Sequence, residues 1–181
     1  MKRRVFLAAA AGAMAPMELD LFLLVGQSNM AGRGDVEAQD RTPIDGVFAL
    51  NKDLTWQPAV DPLHWDKPIA AVGLGRSFAA TLKKYGAAGQ IGLIPAAFGG
   101  TSLEEWKPGG RLFSDAITRA RAAAPVGRLR GILWHPTAPL WMKRTGFVSS
   151  AGLGHKGDEV HFDSAGLREL GRRYALAWMA L

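Results

Sequence analysis

Residues 19–25 read LDLFLLV, a nearly continuous apolar run closed by Gly26. A strand with one wet face alternates apolar and polar side chains. A run that is apolar in both phases suits a strand buried on both faces, as in a parallel sheet. Val47–Leu50, Ile91–Ala97 and Gly131–Trp134 are further strand candidates, and Phe147–Ser149 is a weak one. Helical patterns fall between and after them. Val72–Tyr85 has Gly86 behind it, Phe113–Ala124 is stopped by Pro125, and Asp163–Leu181 places Leu167, Leu170, Tyr174, Ala177 and Trp178 on one face. Asp163 or Ser164 can cap this last helix. Strands alternating with helices predict an α/β fold, a three-layer α/β/α sandwich with a mainly parallel sheet. The polar, proline-bearing stretch 35–67 reads as loop-rich surface.

At 181 residues, with no repeat or linker, the chain fits one domain. A content of 48% hydrophobic and 21% charged residues excludes both a disordered tail and a membrane bundle. With no cysteine, disulfide scaffolds, zinc ribbons, thiol chemistry and iron–sulfur sites are excluded as well. The formal charge of +6 invites a nucleic-acid reading. Part of that excess sits in Lys2, Arg3 and Arg4, however, and the cluster Arg119, Arg121, Arg128 and Arg130 has no interleaved aromatic platform. No nucleic-acid partner is expected. Lys2-Arg3-Arg4, the apolar run Val5–Met14 and the small residues Ala13 and Ala15 have the build of a secretory signal over 1–15, of the general or twin-arginine type. The expectation is an exported protein, periplasmic or secreted, whose domain spans 16–181.

Three segments carry chemistry. Gly26-Gln27-Ser28-Asn29-Met30 follows the first strand directly, and open α/β sheets bind ligands beyond the carboxyl ends of their strands. Ser28 is there either a nucleophile, with a helix N-terminus behind it to favour an oxyanion, or a helix cap. Asp158-Glu159-Val160-His161 precedes the last helix. An imidazole that takes a serine's proton needs a carboxylate to hold its tautomer, and the bland alternative is a turn aspartate beside a capping histidine. Phe98-Gly99-Gly100-Thr101-Ser102 ends the Ile91–Ala97 strand, where paired glycines let the backbone approach a substrate or simply make a tight turn.

In this order, GQSNMAG, GLIPAAFGGTSLEEW, RGILWH and GDEVHFDSAGLRELGRRYA resemble the sialate O-acetylesterase-like branch of the SGNH (GDSL-like) hydrolases, which includes carbohydrate esterase family 6, the acetylxylan esterases. The resemblance implies Ser28 as nucleophile, His161 as general base and Asp158 as its orienting acid. It implies oxyanion donors at the N–H groups of Ser28 and Gly100, with Gly99 the neighbouring candidate. Gln27, Asn29, Thr101, Trp106 and His135 are the substrate-binding candidates. Trp106 either stacks on a sugar ring or fills the core, and His135 either lines the pocket or is a core histidine. The implied reaction is hydrolysis of an O-acetyl ester on a carbohydrate through an acyl-enzyme, with no metal or other cofactor. The alternative is a relative that binds the sugar without turnover.

The chain also departs from the pattern. Trp134-His135 continues as Pro136-Thr137-Ala138, where the family continues with glutamine, glycine and glutamate. The glutamine would be a third oxyanion donor, and losing one such donor costs about 10²–10³ in kcat. Only a short segment then leads to Asp158, where the family places a helix and a strand. A sheet short of one strand, with an exposed edge and reduced activity, is the expectation. Lesser signals lead nowhere: Arg33-Gly34-Asp35 is a common tripeptide, the glycines at 26 and 32 lack a Walker lysine, and His64, His155 and His161 have no zinc spacing.

Overall fold

Leu19–Gly26 (β1) is an interior strand of a five-stranded sheet, and its two phases face two different cores. Phe22 and Leu24 point to one side, while Leu19, Leu21, Leu23 and Val25 point to the other. All six are nearly or fully buried, which is why the run carries no alternation. The remaining strands are Val47–Leu50 (β2), Trp56–Pro58 (β3), Gln90–Pro95 (β4) and Gly127–His135 (β5), in the order β3-β2-β4-β1-β5. The neighbours β2–β4, β4–β1 and β1–β5 run parallel, and only β3 is antiparallel, on β2. This computed structural model describes residues 18–135 and 145–181. The expected signal over 1–15 and the divergent Pro136-Thr137-Ala138 lie outside that range.

Helices cover both faces, giving the expected three layers. Gly75–Lys84 (α3) and Ser164–Met179 (α5) pack Leu74, Phe78, Leu82, Leu170 and Ala175 onto Phe22, Leu24 and Leu93. Arg111–Ala123 (α4) covers the other face with Leu112, Ala116 and Ala123. Full burial of each such large side chain stabilises the fold by about 1.5–3 kcal/mol. Asp163 is the cap of α5, its carboxylate accepting the Gly166 N–H at 2.7 Å. Helices α3 and α5 are close enough that a Cβ on Gly171 would run into Ser77 Oγ and the Leu74 carbonyl. Only glycine fits there.

Two expectations are corrected. Phe147–Ser149 forms no strand; Phe147 is 83% exposed. The stretch 35–67 is not mere surface: besides β2, β3 and the single-turn helix Ala38–Arg41 (α2), it buries Asp40, Asp61, Leu63 and His64. Asp40 goes inside because it is paired, whereas Asp61 Oδ1 and His64 Nε2 have no partner among the described residues. Arg168 of α5 grips Asp40 through Nη2 at 2.6 Å and Nε at 3.2 Å. Arg76 of α3 donates to the carbonyls of Ala59, Gln39 and Thr42. On the opposite side β5 is the last strand of the sheet among the described residues, and its Leu129 and Ile132 are exposed.

Candidate active site

Three adjacent parallel strands, β4, β1 and β5, bring three chemistry-bearing segments to one end of the sheet. The ladder continues past the strand ends: the Phe98 N–H donates to the Gly26 carbonyl at 3.0 Å, and the Gln27 N–H to the His135 carbonyl at 3.3 Å. Ser28, which opens the short helix Ser28–Ala31 (α1), is thereby set beside the Gly99-Gly100 turn. Its Cβ lies 3.2 Å from the point a Cβ on Gly99 would occupy. Helix α1 has only four residues. The expected helix dipole behind the serine is therefore reduced to a single turn, and individual N–H groups matter more than the macrodipole.

The segment 154–163 folds back on itself and delivers Asp158 and His161 to the serine. Its ends pair through the bridge His155–Phe162, the Lys156 N–H to His161 carbonyl bond (2.9 Å) and the Asp163 N–H to Gly154 carbonyl bond (3.1 Å). Asp158 closes the tip as an Asx-type turn, its Oδ1 accepting the N–H groups of Val160 and His161 at 3.0 and 2.8 Å. Its Oδ2 lies 2.6 Å from His161 Nδ1, and His161 Nε2 lies 3.1 Å from Ser28 Oγ. The backbone and ring hydrogen bonds from His161 hold the Asp158 carboxyl far below the usual carboxylate range. With that carboxylate ionised, Nδ1 carries the ring proton and Nε2 presents a lone pair to the serine hydroxyl. One carboxylate thus both closes the turn and hydrogen-bonds the imidazole.

The candidates for holding an oxyanion separate clearly. The Gly99 N–H is spent on Asp66 Oδ2, at 2.9 Å, and is not available. Gly100, with φ +73°, and Ser28 have N–H groups without a hydrogen-bond partner among the described residues. Most of the substrate-binding candidates prove to be braces. The Gln27 side-chain amide donates to the Thr101 carbonyl. Asn29 donates through Nδ2 to the Val160 carbonyl at 3.0 Å and accepts the Phe162 N–H at 3.1 Å. The Thr101 hydroxyl donates to the Phe98 carbonyl and accepts from Trp106 Nε1. Trp106 is 9% exposed and meets Trp134 edge to face, so it is a core residue with no face for a sugar. His135 ends β5 against Tyr174, whose hydroxyl donates to the Trp134 carbonyl and so accepts from His135 Nδ1. Burial lowers the His135 pKa.

Sequence reasoning missed Asp66 and the role of Arg33. Arg33 Nη2 reaches Asp66 Oδ2 at 2.7 Å, with side chains 6% and 0% exposed, directly behind Gly99. The available signal was an arginine set between two glycines immediately after the Ser28 block. Among the described residues no cluster of three or more histidine or acidic side chains converges to hold a metal.

Against this geometry, a protein-family model described as "Carbohydrate esterase, sialic acid-specific acetylesterase" matches residues 18–136. A curated relative from Arabidopsis thaliana, named "Probable carbohydrate esterase", is 33% identical over 135 residues. The match covers 64% of this chain and 52% of the relative, so the chain spans about half the relative's length. An Arabidopsis thaliana crystal structure superposes with a TM-score of 0.81 at 24% identity, covering 92% of this chain and 99% of that one. The crystal structure of NanS gives 0.54 at 17% identity, covering 68% and 55%. Both structural likenesses are likenesses of fold.

Proposed function

The chain belongs to the sialic acid-specific acetylesterase family of carbohydrate esterases, and on that premise we propose that it removes O-acetyl groups from a carbohydrate, with Ser28 as nucleophile. The observation that carries this reading is the unbroken line from Asp158 Oδ2 through both ring nitrogens of His161 to Ser28 Oγ, with links of 2.6 and 3.1 Å. Ser28 Oγ attacks the acetyl carbonyl carbon as His161 Nε2 takes the hydroxyl proton. The carbonyl oxygen becomes an oxyanion, which accepts hydrogen bonds from the N–H groups of Ser28 and Gly100. Collapse breaks the bond to the sugar oxygen, which leaves with the proton from His161, and the acetyl group remains on Ser28. Water then attacks this ester with His161 again as base, releasing acetate and restoring the serine.

Two N–H donors in place of three set the expected rate below that of an enzyme with the complete hole, by about 10²–10³. The competing reading, a chain that binds an acetylated sugar without turning it over, rests on Pro136 standing where the third donor would follow His135. Acetate release from O-acetylated sialic acid and from acetylated xylo-oligosaccharide separates the two. Turnover that disappears in Ser28→Ala supports the esterase. A folded chain that binds either sugar and releases no acetate supports the binder.

A further inference from the structure

The buried Arg33–Asp66 pair has no part in the mechanism just described, yet it forms the back wall of the site. Three separate segments meet there: the loop after α1, the segment after β3 and the turn after β4. Asp66 Oδ2 receives both Arg33 Nη2 at 2.7 Å and the Gly99 N–H at 2.9 Å. Arg33 Nη1 is tied in turn to the Gly32 carbonyl at 2.6 Å. A Cβ on Gly99 would collide with Arg33 Nη2 and come within 3.2 Å of Ser28 Cβ. The ion pair, the glycine and the nucleophile are therefore packed in direct contact. Burial works to raise the Asp66 pKa, but the hydrogen bonds from Arg33 and Gly99 outweigh it and leave it below the usual carboxylate range. A buried charge pair is costly to desolvate, and a neutral side chain could fill the same space.

We propose that Asp66, clamped by Arg33, is a positioning residue that fixes the Gly99 amide so that the next amide, the Gly100 N–H, faces the oxyanion formed at Ser28. The inference rests on Ser28 being the nucleophile. Neither Arg33 nor Asp66 touches substrate; they act through one peptide unit. A displacement of about 1 Å in such a donor costs about 10²-fold in rate. The loss falls on the transition state and leaves ground-state binding alone.

Asp66→Asn keeps one oxygen in the place of Oδ2, which Gly99 and Arg33 Nη2 share, but removes the charge and sets an amide donor against Arg33 Nη1, 3.4 Å from Oδ1, so the clamp is loosened. The expected result with p-nitrophenyl acetate is a fall of about 10²-fold in kcat with KM within twofold. Methylboronic acid, whose adduct with Ser28 is a tetrahedral anion, should bind weaker by the same factor. A folded Asp66→Asn protein with unchanged kcat and boronate affinity overturns the proposal. Ser28→Ala in the same series distinguishes the two levels: if it retains turnover, the nucleophile reading itself is wrong. Should Asp66→Asn not fold, amide NMR of the wild-type chain decides. Methylboronic acid should shift the Gly100 amide resonance and leave Gly99 nearly in place, and the reverse pattern overturns the proposal.

Discussion

The side-chain amide of Asn29 grips the backbone on both sides of His161, donating to the Val160 carbonyl and accepting the Phe162 N–H. The residue after the candidate nucleophile thus sets where the candidate base stands, across 132 positions of sequence between Asn29 and His161. Each neutral hydrogen bond of this kind contributes about 1 kcal/mol to stability. Asn29→Ala should lower kcat by about 10²-fold while KM changes little, because the Nε2 to Oγ alignment is lost and no substrate contact is removed. Steady-state kinetics on p-nitrophenyl acetate tests this. A rise in KM at constant kcat would return Asn29 to the substrate-binding residues.

Trp106 is assigned to the core, so Trp106→Phe should register as stability. Losing its Nε1 bond to Thr101 Oγ1 removes about 1 kcal/mol, lowering the urea midpoint. KM for an acetylated sugar should remain within twofold of wild type.

The contact of α5 with α3 at Gly171 supports the segment that carries Asp158 and His161, since α5 begins at Ser164. Gly171→Ala drives a methyl group into Ser77 and Leu74. A destabilisation of about 1–3 kcal/mol is expected from such overpacking. Thermal melting and turnover should both suffer. An unchanged melting temperature would place the helices further apart than described.

His64 supplies a pH dependence with a definite sign. It is fully buried, Nε2 has no partner among the described residues, and burial pushes its imidazole down to about 4 from 6.5. The unfolded chain therefore takes the proton first. The stability this neutral ring supports is complete above pH 6.5 and is lost as pH falls toward 4, by about 3 kcal/mol at most. Asp61 acts in the opposite sense: burial raises it to about 7, so its contribution is complete below 3.8 and lost as pH rises through 7. His64→Gln removes the first term alone. Melting curves from pH 4 to 7 should show the variant losing less stability on acidification than wild type, and parallel curves would contradict the assignment.

The sheet was legible because β1 is apolar in both phases, a pattern few other environments produce. The order of the chemical blocks was legible because each directly follows a strand or precedes the last helix. The interior of 35–67 was hidden for a physical reason. Asp40 is buried against Arg168 and Arg76, both far along the chain, and no local pattern announces such partners. The same holds for Asp66 with Arg33 and Gly99. Trp106 could not be placed from sequence, since glutamates beside a tryptophan suit a rim and a wall equally. Its neighbour in space, Trp134, decides the matter.

Labelling of the purified chain with a fluorophosphonate, followed by peptide mass spectrometry, asks directly whether Ser28 is an activated nucleophile. An activated serine is phosphonylated, whereas an ordinary surface serine is not. One modified site is expected, Ser28, with labelling abolished in Ser28→Ala and strongly slowed in His161→Ala. A folded wild-type chain left unlabelled, or one labelled equally fast without His161, would contradict this role for Ser28.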